Sequence, residues 1–512
     1  MELSSFDIVA FVGFIAVVIG VSLYAARKEE TTEDYFLAGR RLSWWLIGFS
    51  LIASNISSEH FVGMAGSGFG SMGLAVASYE WIAAVSLVIV GLVLLPRFLR
   101  SGIYTIPQFL EHRYNAGARA VMATYMMIMY VAVAFASILY AGAIGLQKIF
   151  GTDLTQGVWL IGILAAAYTI YGGLKAVVWS DLLQGAALLI GGAIVMVLGF
   201  QAVGGVGNFL ETNADKLHTI LPADDPDIPW TAMIIGIWIP NLFYWGLNQF
   251  ITQRTLGAKS LAEGQKGIVF AAGLKLVMPF IIIFPGIMAF QLYADQIPAD
   301  KIDLAYPTLI KNILPVGLRG IMFAALFGAV MSSLDSMLNS ASTIFTMDLY
   351  RRHVRPNASP KRLITIGRIM TAVFVIIGCT IAPKLDNPRF GGIFKYIQLF
   401  QGFISPGILT VFVVGLLFRK APPLAAIVGL LLNIPVYGLL LWLLPDVAFL
   451  NHMAITFGVI LLAMLVITLV KPLAKPKTMP VNQDIDLRPS RLAVVMGAAV
   501  IVATAALYAV FW

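Results

Sequence analysis

The sequence predicts an all-α integral membrane protein of about 14 transmembrane helices, and three observations predict it. The 512 residues are 59% hydrophobic and only 12% charged, with a mean hydropathy of +0.87, about half the charge of a typical soluble domain. Apolar runs long enough to cross roughly 30 Å of hydrocarbon as a helix recur along the whole length. They are continuous rather than alternating, which argues for helices over a barrel, whose strands need only about ten residues each. Finally, lysine and arginine are sorted into every second loop.

The predicted spans are 7–26, 42–66, 73–96, 120–147, 156–172, 176–200, 230–252, 266–293, 318–347, 364–383, 393–418, 422–444, 450–470 and 490–511. The first run follows Met1 with Glu2 and Asp7 ahead of it and no basic residue, so it reads as a retained helix rather than a signal peptide. With the N-terminus outside, the loops 27–41, 97–119, 173–175, 253–265 (with Lys266 at its edge), 348–368, 419–420 and 471–491 face the cytoplasm and hold 25 of the 34 Lys and Arg. The opposite loops are acidic, with Asp224, Asp225 and Asp227 in one and Asp295, Asp300 and Asp303 in another. This is the positive-inside pattern. It places both termini outside and explains the net charge of +8 by orientation, with no nucleic-acid surface implied. The pieces outside the spans are loop-sized, so residues 1–512 form one membrane domain. The lone Cys379 allows no disulfide within the chain and no cysteine-based metal site.

Six ionisable residues stay at membrane depth: Glu59, His60, Glu80, Asp181, Lys275 and Asp335. Each costs about 2.5–3.5 kcal/mol on insertion scales. A structural ion pair explains any one of them; six in separate places argue for a polar interior pathway. The stretch SLIASNISSEHFVGMAGSG (50–68) crowds Ser54, Asn55, Ser57 and Ser58 ahead of Gly63, Gly66 and Gly68. Such residues compete for backbone hydrogen bonds or weaken a helix. A broken helix at membrane depth lines a cavity or lies within protein, and its freed carbonyls are cation ligands. The alternative is a serine-rich contact between helices.

In AVMSSLDSMLNSASTIFTMD (329–348), Ser332, Asp335, Ser336 and Asn339 share one helical face made of oxygen and amide. Hard cations such as sodium take oxygen ligands, whereas transition metals want His or Cys clusters, which the five histidines do not make. A third stretch, IPNLFYWGLNQFITQR (239–254), sets Phe243, Tyr244 and Trp245 beside Asn241, Asn248 and Gln249. Aromatic faces beside amides hold sugar rings; near an interface they are also ordinary belt residues.

These stretches, with TTEDYFLAGR (31–40), ASYEW (77–81), YTIPQFL (104–110), YTIYGGLKAVVWSDLLQ (168–184), QKGIVFAAGLKL (265–276) and YIQ (396–398), run in order from about 30 to 410. Together they resemble the sodium/solute symporter family, in particular its sodium/sugar branch. The resemblance implies a leucine-transporter-like fold of two five-helix inverted repeats, 42–200 and 230–418, with an accessory first helix and linker at 1–41 and accessory helices at 419–512. It implies no enzyme but a sodium-coupled symporter of a neutral sugar of galactose or glucose type, working by alternating access. It implies a sodium site of backbone carbonyls from Ala53, Ile56 and Ala329 with the hydroxyls of Ser332 and Ser333. The sugar would meet Asn55, His60, Glu80, Asn241, Lys275 and Gln398, with Tyr244 as the aromatic gate and Trp245 beside it. That set suits a neutral polyhydroxylated ligand, since Glu80 and Lys275 neutralise each other.

Two departures matter. Bacterial galactose carriers of the branch often have glutamine at His60, and animal glucose carriers have histidine. Asp335 stands where several members have alanine, serine or threonine. With Asp181, Ser332 and Ser336 it would build a second, or a protonatable, cation site; alternatively it bonds a neighbouring helix. Asp335 also resembles inositol carriers, so myo-inositol or another polyol is the alternative ligand. Function as a monomer in a bacterial inner membrane completes the expectation.

Overall fold

The computed structural model describes residues 4–25, 31–57, 59–299, 301–385 and 393–512. Met1, Glu2, Ser58 and Asp300, used in the sequence reading, lie outside the described residues. Among the described residues ten helices are long and apolar enough to cross a membrane, and an eleventh span is a pair bent by 44°. In chain order the main segments are α1 (Ser5–Ala25), α2 (Trp44–Asn55), α3 (Gly73–Ser101), α4 (Ala116–Ile144), α5 (Leu154–Ala202), α6 (Trp238–Gly246), α7 (Gln249–Leu256), α8 (Leu261–Tyr293), α9 (Leu318–Val354), α10 (Pro360–Leu385), the bent pair α11 (Phe394–Gln401) and α12 (Ser405–Leu417), α13 (Pro423–Leu443), α14 (Phe449–Val470) and α15 (Arg491–Val510).

The remaining three of the 14 expected spans are helical but interrupted or short, which is why composition alone overcounts continuous crossings. The span expected at 42–66 stops at Asn55, where Ile56 turns extended (φ −72°, ψ 110°), and resumes at Glu59. The span expected at 230–252 changes direction at Ile235 and again at Leu247, between α6 and α7. The one expected at 156–172 is the first part of α5. Its direction changes at Gly173 (φ +51°), a left-handed conformation that only glycine takes without cost; a Cβ there would also lie 2.4 Å from the Tyr35 carbonyl.

Burial sorts the helices. In α9, 89% of the most apolar stretch is buried within the protein, against 22% in α1 and in α15. Lipid is as apolar as leucine, so polarity can be collected on the inner helices and close packing is left to small residues. Helix α9 packs along α5, and α8 lies against α2, α3 and the second half of the broken helix, 59–69. Glycines set these approaches: a Cβ on Gly286 of α8 would fall 2.0 Å from the Ala65 carbonyl oxygen, and one on Gly185 of α5 2.7 Å from the Ala53 side chain.

Candidate functional site

The break in the first interrupted helix frees carbonyls. An uninterrupted helix would bond the Ala53 carbonyl to the N–H of Ser57. That N–H instead points to His60 Nδ1 at 3.4 Å. Two serines of α9 face the freed groups. Ser332 Oγ lies between the Ala53 carbonyl, at 3.2 Å, and Asp181 Oδ1. Ser333 Oγ lies 3.3 Å from the Ser54 carbonyl. Ala53, Ile56 and Ala329 are wholly buried beside them. Backbone and hydroxyl oxygens from two helices thus converge where no thiol or imidazole intrudes, a donor set that fits a hard monovalent cation.

Asp181, on α5, sits behind this cluster and is fully buried. Its Oδ2 accepts from Ser50 Oγ at 2.5 Å, Ser54 Oγ at 2.8 Å and Arg254 Nη2 at 3.0 Å. Arg254 is 1% exposed and also donates to Ser50, Ser336 and the Phe250 carbonyl. The sequence reading placed Arg254 in a cytoplasmic loop; the structure corrects this, because α7 runs on to Leu256 and turns the guanidinium inward. The space between Asp181 and Ser336 is therefore filled by a cation of the chain itself. Asp335, also buried, accepts from Thr169 Oγ1 of α5 at 3.1 Å.

A second cluster lines a cavity between the two broken helices. Asn55, His60, Glu80, Asn241, Tyr244, Trp245 and Gln398 all contribute to its wall, so seven of the eight residues expected to meet a ligand are brought together. The eighth, Lys275, is 0% exposed and lies behind that wall, where its ammonium donates to Asn55 Oδ1 and Glu80 Oε2 and faces the Trp245 ring at 5.0 Å. Charge in the wall is thus anchored: Asn55 in turn donates to the Tyr244 hydroxyl at 3.0 Å, and His60 Nε2 lies 3.5 Å from Glu80 Oε1. Asn241 is tied to its own helix through the Ile237 carbonyl at 2.9 Å.

Tyr244 also walls a larger, mostly apolar cavity reaching Ser54, Ser333, Tyr130 and Met337. The tyrosine, with Asn55, Glu59, Gln398 and Gln401, is the partition between the two spaces. Tyr79, Phe394 and Gln401 also line the smaller cavity, as does Glu59. Sequence reasoning left all four out of the ligand set, although Glu59 already stood out as a charge at membrane depth, and Gln401 lies one helical turn from Gln398.

Two discontinuous helices meeting at a polar cavity, beside freed carbonyls and within a bundle of apolar helices, define a membrane carrier of the broken-helix class. The chain belongs to the sodium:solute symporter family, whose model matches residues 35–433. It is 43% identical over 484 residues to a sodium/glucose cotransporter of Vibrio parahaemolyticus, covering 89% of this chain and 88% of that one. It is 36% identical over 465 residues to sodium/myo-inositol cotransporter 2 of Oryctolagus cuniculus, covering 84% and 68% respectively. Its fold matches a sodium-coupled sialic acid symporter solved in a substrate-bound outward-open state, with a TM-score of 0.83 at 23% identity over 93% of this chain and all of that one. The protein is thus an integral membrane transporter, not an enzyme, with the leucine-transporter-like inverted-repeat architecture and the sodium coupling of its family.

Proposed function

We propose that the protein is a sodium-coupled symporter of a neutral sugar of glucose or galactose type, working by alternating access. The observation that carries the reading is the cavity between the broken helices: hydroxyl-binding amides and a carboxylate form its wall, aromatic rings flank them, and the charge of Glu80 is cancelled by Lys275 behind it. A neutral polyol entering such a site leaves no charge unpaired by its own arrival. The 43% identity to a sodium/glucose cotransporter supports the same ligand class. A polyol such as myo-inositol is the second reading, favoured by the myo-inositol relatives and by Asp335.

In this reading sodium sits on the carbonyls of Ala53, Ile56 and Ala329 and the hydroxyls of Ser332 and Ser333, tying the first broken helix to α9. The sugar binds beside it against Asn55, His60, Glu80, Asn241 and Gln398, with Lys275 holding Asn55 and Glu80 in place and Tyr244, flanked by Trp245, as the gate. The ion stabilises the arrangement that binds sugar, and the coupling is reciprocal. A second cation at Asp181, Asp335 and Ser336 requires Arg254 to move aside. The two repeats run 42–200 and 230–418, with 1–41 and 419–512 accessory. The chain acts as a monomer in a bacterial inner membrane, both termini outside.

Purified protein in liposomes tests this. Labelled galactose, glucose and myo-inositol are offered under inward sodium, potassium and proton gradients at fixed voltage. Accumulation of one of them under the sodium gradient alone is expected. Proton-driven accumulation would move the coupling to Asp181 and Asp335, and no accumulation of any polyol would remove the sugar assignment.

A further inference from the structure

Resting on the sugar reading above, the charge balance of the cavity singles out a residue that reading does not use. Glu59 lines both cavities, and its side chain is 12% exposed. The one lysine, arginine or histidine nitrogen within ion-pair distance of its carboxylate among the described residues is His60 Nδ1, at 3.7 Å, beyond hydrogen-bond reach. That nitrogen accepts from the Ser57 N–H at 3.4 Å, and Nε2 is the one that faces Glu80. The ammonium of Lys275 is committed to Glu80 and Asn55, and Arg254 to Asp181. Two carboxylates face the ligand cavity and the ammonium beside it is committed to Glu80, so the Glu59 carboxylate stands at the cavity surface with no lysine or arginine partner among the described residues.

We propose that Glu59 determines ligand charge and that the carrier accepts amino sugars, with the ligand ammonium donating to the Glu59 carboxylate. A neutral sugar offers that carboxylate hydroxyl donors; a cationic one offers charge-assisted donors, which are shorter and roughly twice as strong. An acidic sugar meets the two glutamates of the wall and is refused. The inference differs from the sugar reading in assigning a sign preference to the cavity and a residue that sets it.

The test is competition against uptake of the labelled neutral sugar in proteoliposomes at saturating sodium and pH 6.5, where an aliphatic ammonium stays largely charged. The competitors are glucose, 2-deoxyglucose, 6-deoxyglucose, 2-amino-2-deoxyglucose, 6-amino-6-deoxyglucose and glucuronate. At least one amino sugar is expected to inhibit about tenfold more strongly than the deoxy sugar lacking the same group, with glucuronate at least about tenfold weaker than glucose. In Glu59→Gln the ratio of amino-sugar to glucose inhibition constants is expected to rise about tenfold as the amino sugars lose their advantage, and a ratio cancels any general loss of uptake. Amino sugars no stronger than their deoxy counterparts in the native carrier overturn the proposal even if Glu59→Gln is inactive. A ratio unchanged in Glu59→Gln, or a change confined to sodium dependence, overturns it as well. Neutral-sugar uptake with amino sugars excluded sinks this inference alone, whereas no sugar uptake at all sinks the sugar reading with it.

Discussion

Replacing Asp181 by asparagine removes a charge from the most enclosed polar group near the freed carbonyls. The carboxylate takes donors from Ser50, Ser54, Ser332 and Arg254. Asparagine keeps the shape, deletes the charge and turns one acceptor atom into a donor. Arg254, 1% exposed and unable to deprotonate, then carries a charge that no carboxylate cancels. Removing one partner of a buried pair costs about 3–5 kcal/mol. At about 2 °C per kcal/mol, the lower end of single-domain behaviour, the apparent melting temperature should fall by roughly 6–10 °C. The assay is thermal unfolding of the detergent-solubilised carrier at one fixed scan rate, because unfolding of such proteins is often irreversible. Arg254→Gln should fall comparably. The double variant, with both charges gone, should lose clearly less than the sum of the two. Half-saturating sodium should also rise in Asp181→Asn, since Ser332 Oγ loses its charged acceptor. A melting temperature within about 2 °C of the native value, or single losses that simply add, would refute the reasoning.

Ser333→Ala should raise half-saturating sodium several-fold while sugar affinity at saturating sodium stays within about twofold, as uptake curves at fixed sugar and fixed sodium would report; an equal loss of both counts against the sodium assignment. Gly286→Ala places a methyl 2.0 Å from the Ala65 carbonyl, so the second half of the broken helix must shift, at about 1–3 kcal/mol or more; folded yield by size exclusion and uptake per folded carrier should both drop. Glu111 lies outside the spans. Burial raises its pKa, but the hydrogen bond and charge of Arg119 and the charge of Arg352 outweigh that and hold it below the ordinary glutamate value. Its contribution to stability is therefore present above the unfolded pKa and lost as pH falls through the lower folded one. Glu111→Gln should flatten the acid limb of thermal stability below about pH 4.5, and an unchanged acid limb would show that the loop clamp is not what titrates.

Much of this was legible because polarity is rare in such a chain. SNISSEHF announces the break at Ile56, and Glu80 with Lys275 announces a pair that must find itself within a dry bundle. Seven wall residues drawn from five segments fall together because the broken helices force them to one depth. What the sequence hides is direction. Arg254 counts as a loop cation on charge statistics, and nothing local says that α7 turns it toward Asp181, 73 positions earlier. Lys275 is legible as a site residue but not as one that stands behind Asn55 rather than at the ligand surface. The count of spans is misread for a related reason: apolar composition continues through Ile235 and Leu247 while the backbone changes course.

The two buried ion pairs bear on how the empty carrier resets. A symporter must return unloaded, and any net charge it drags through the bilayer field makes that return voltage-dependent, at about 2.3 kcal/mol per charge per 100 mV. Asp181 travels with Arg254, and Glu80 with Lys275. Each pair moves as a dipole and contributes no net charge to the return. At these positions the protein supplies its own counter-ions, so neither pair adds to the electrical cost of the empty limb. What charge that limb does move must come from elsewhere in the site.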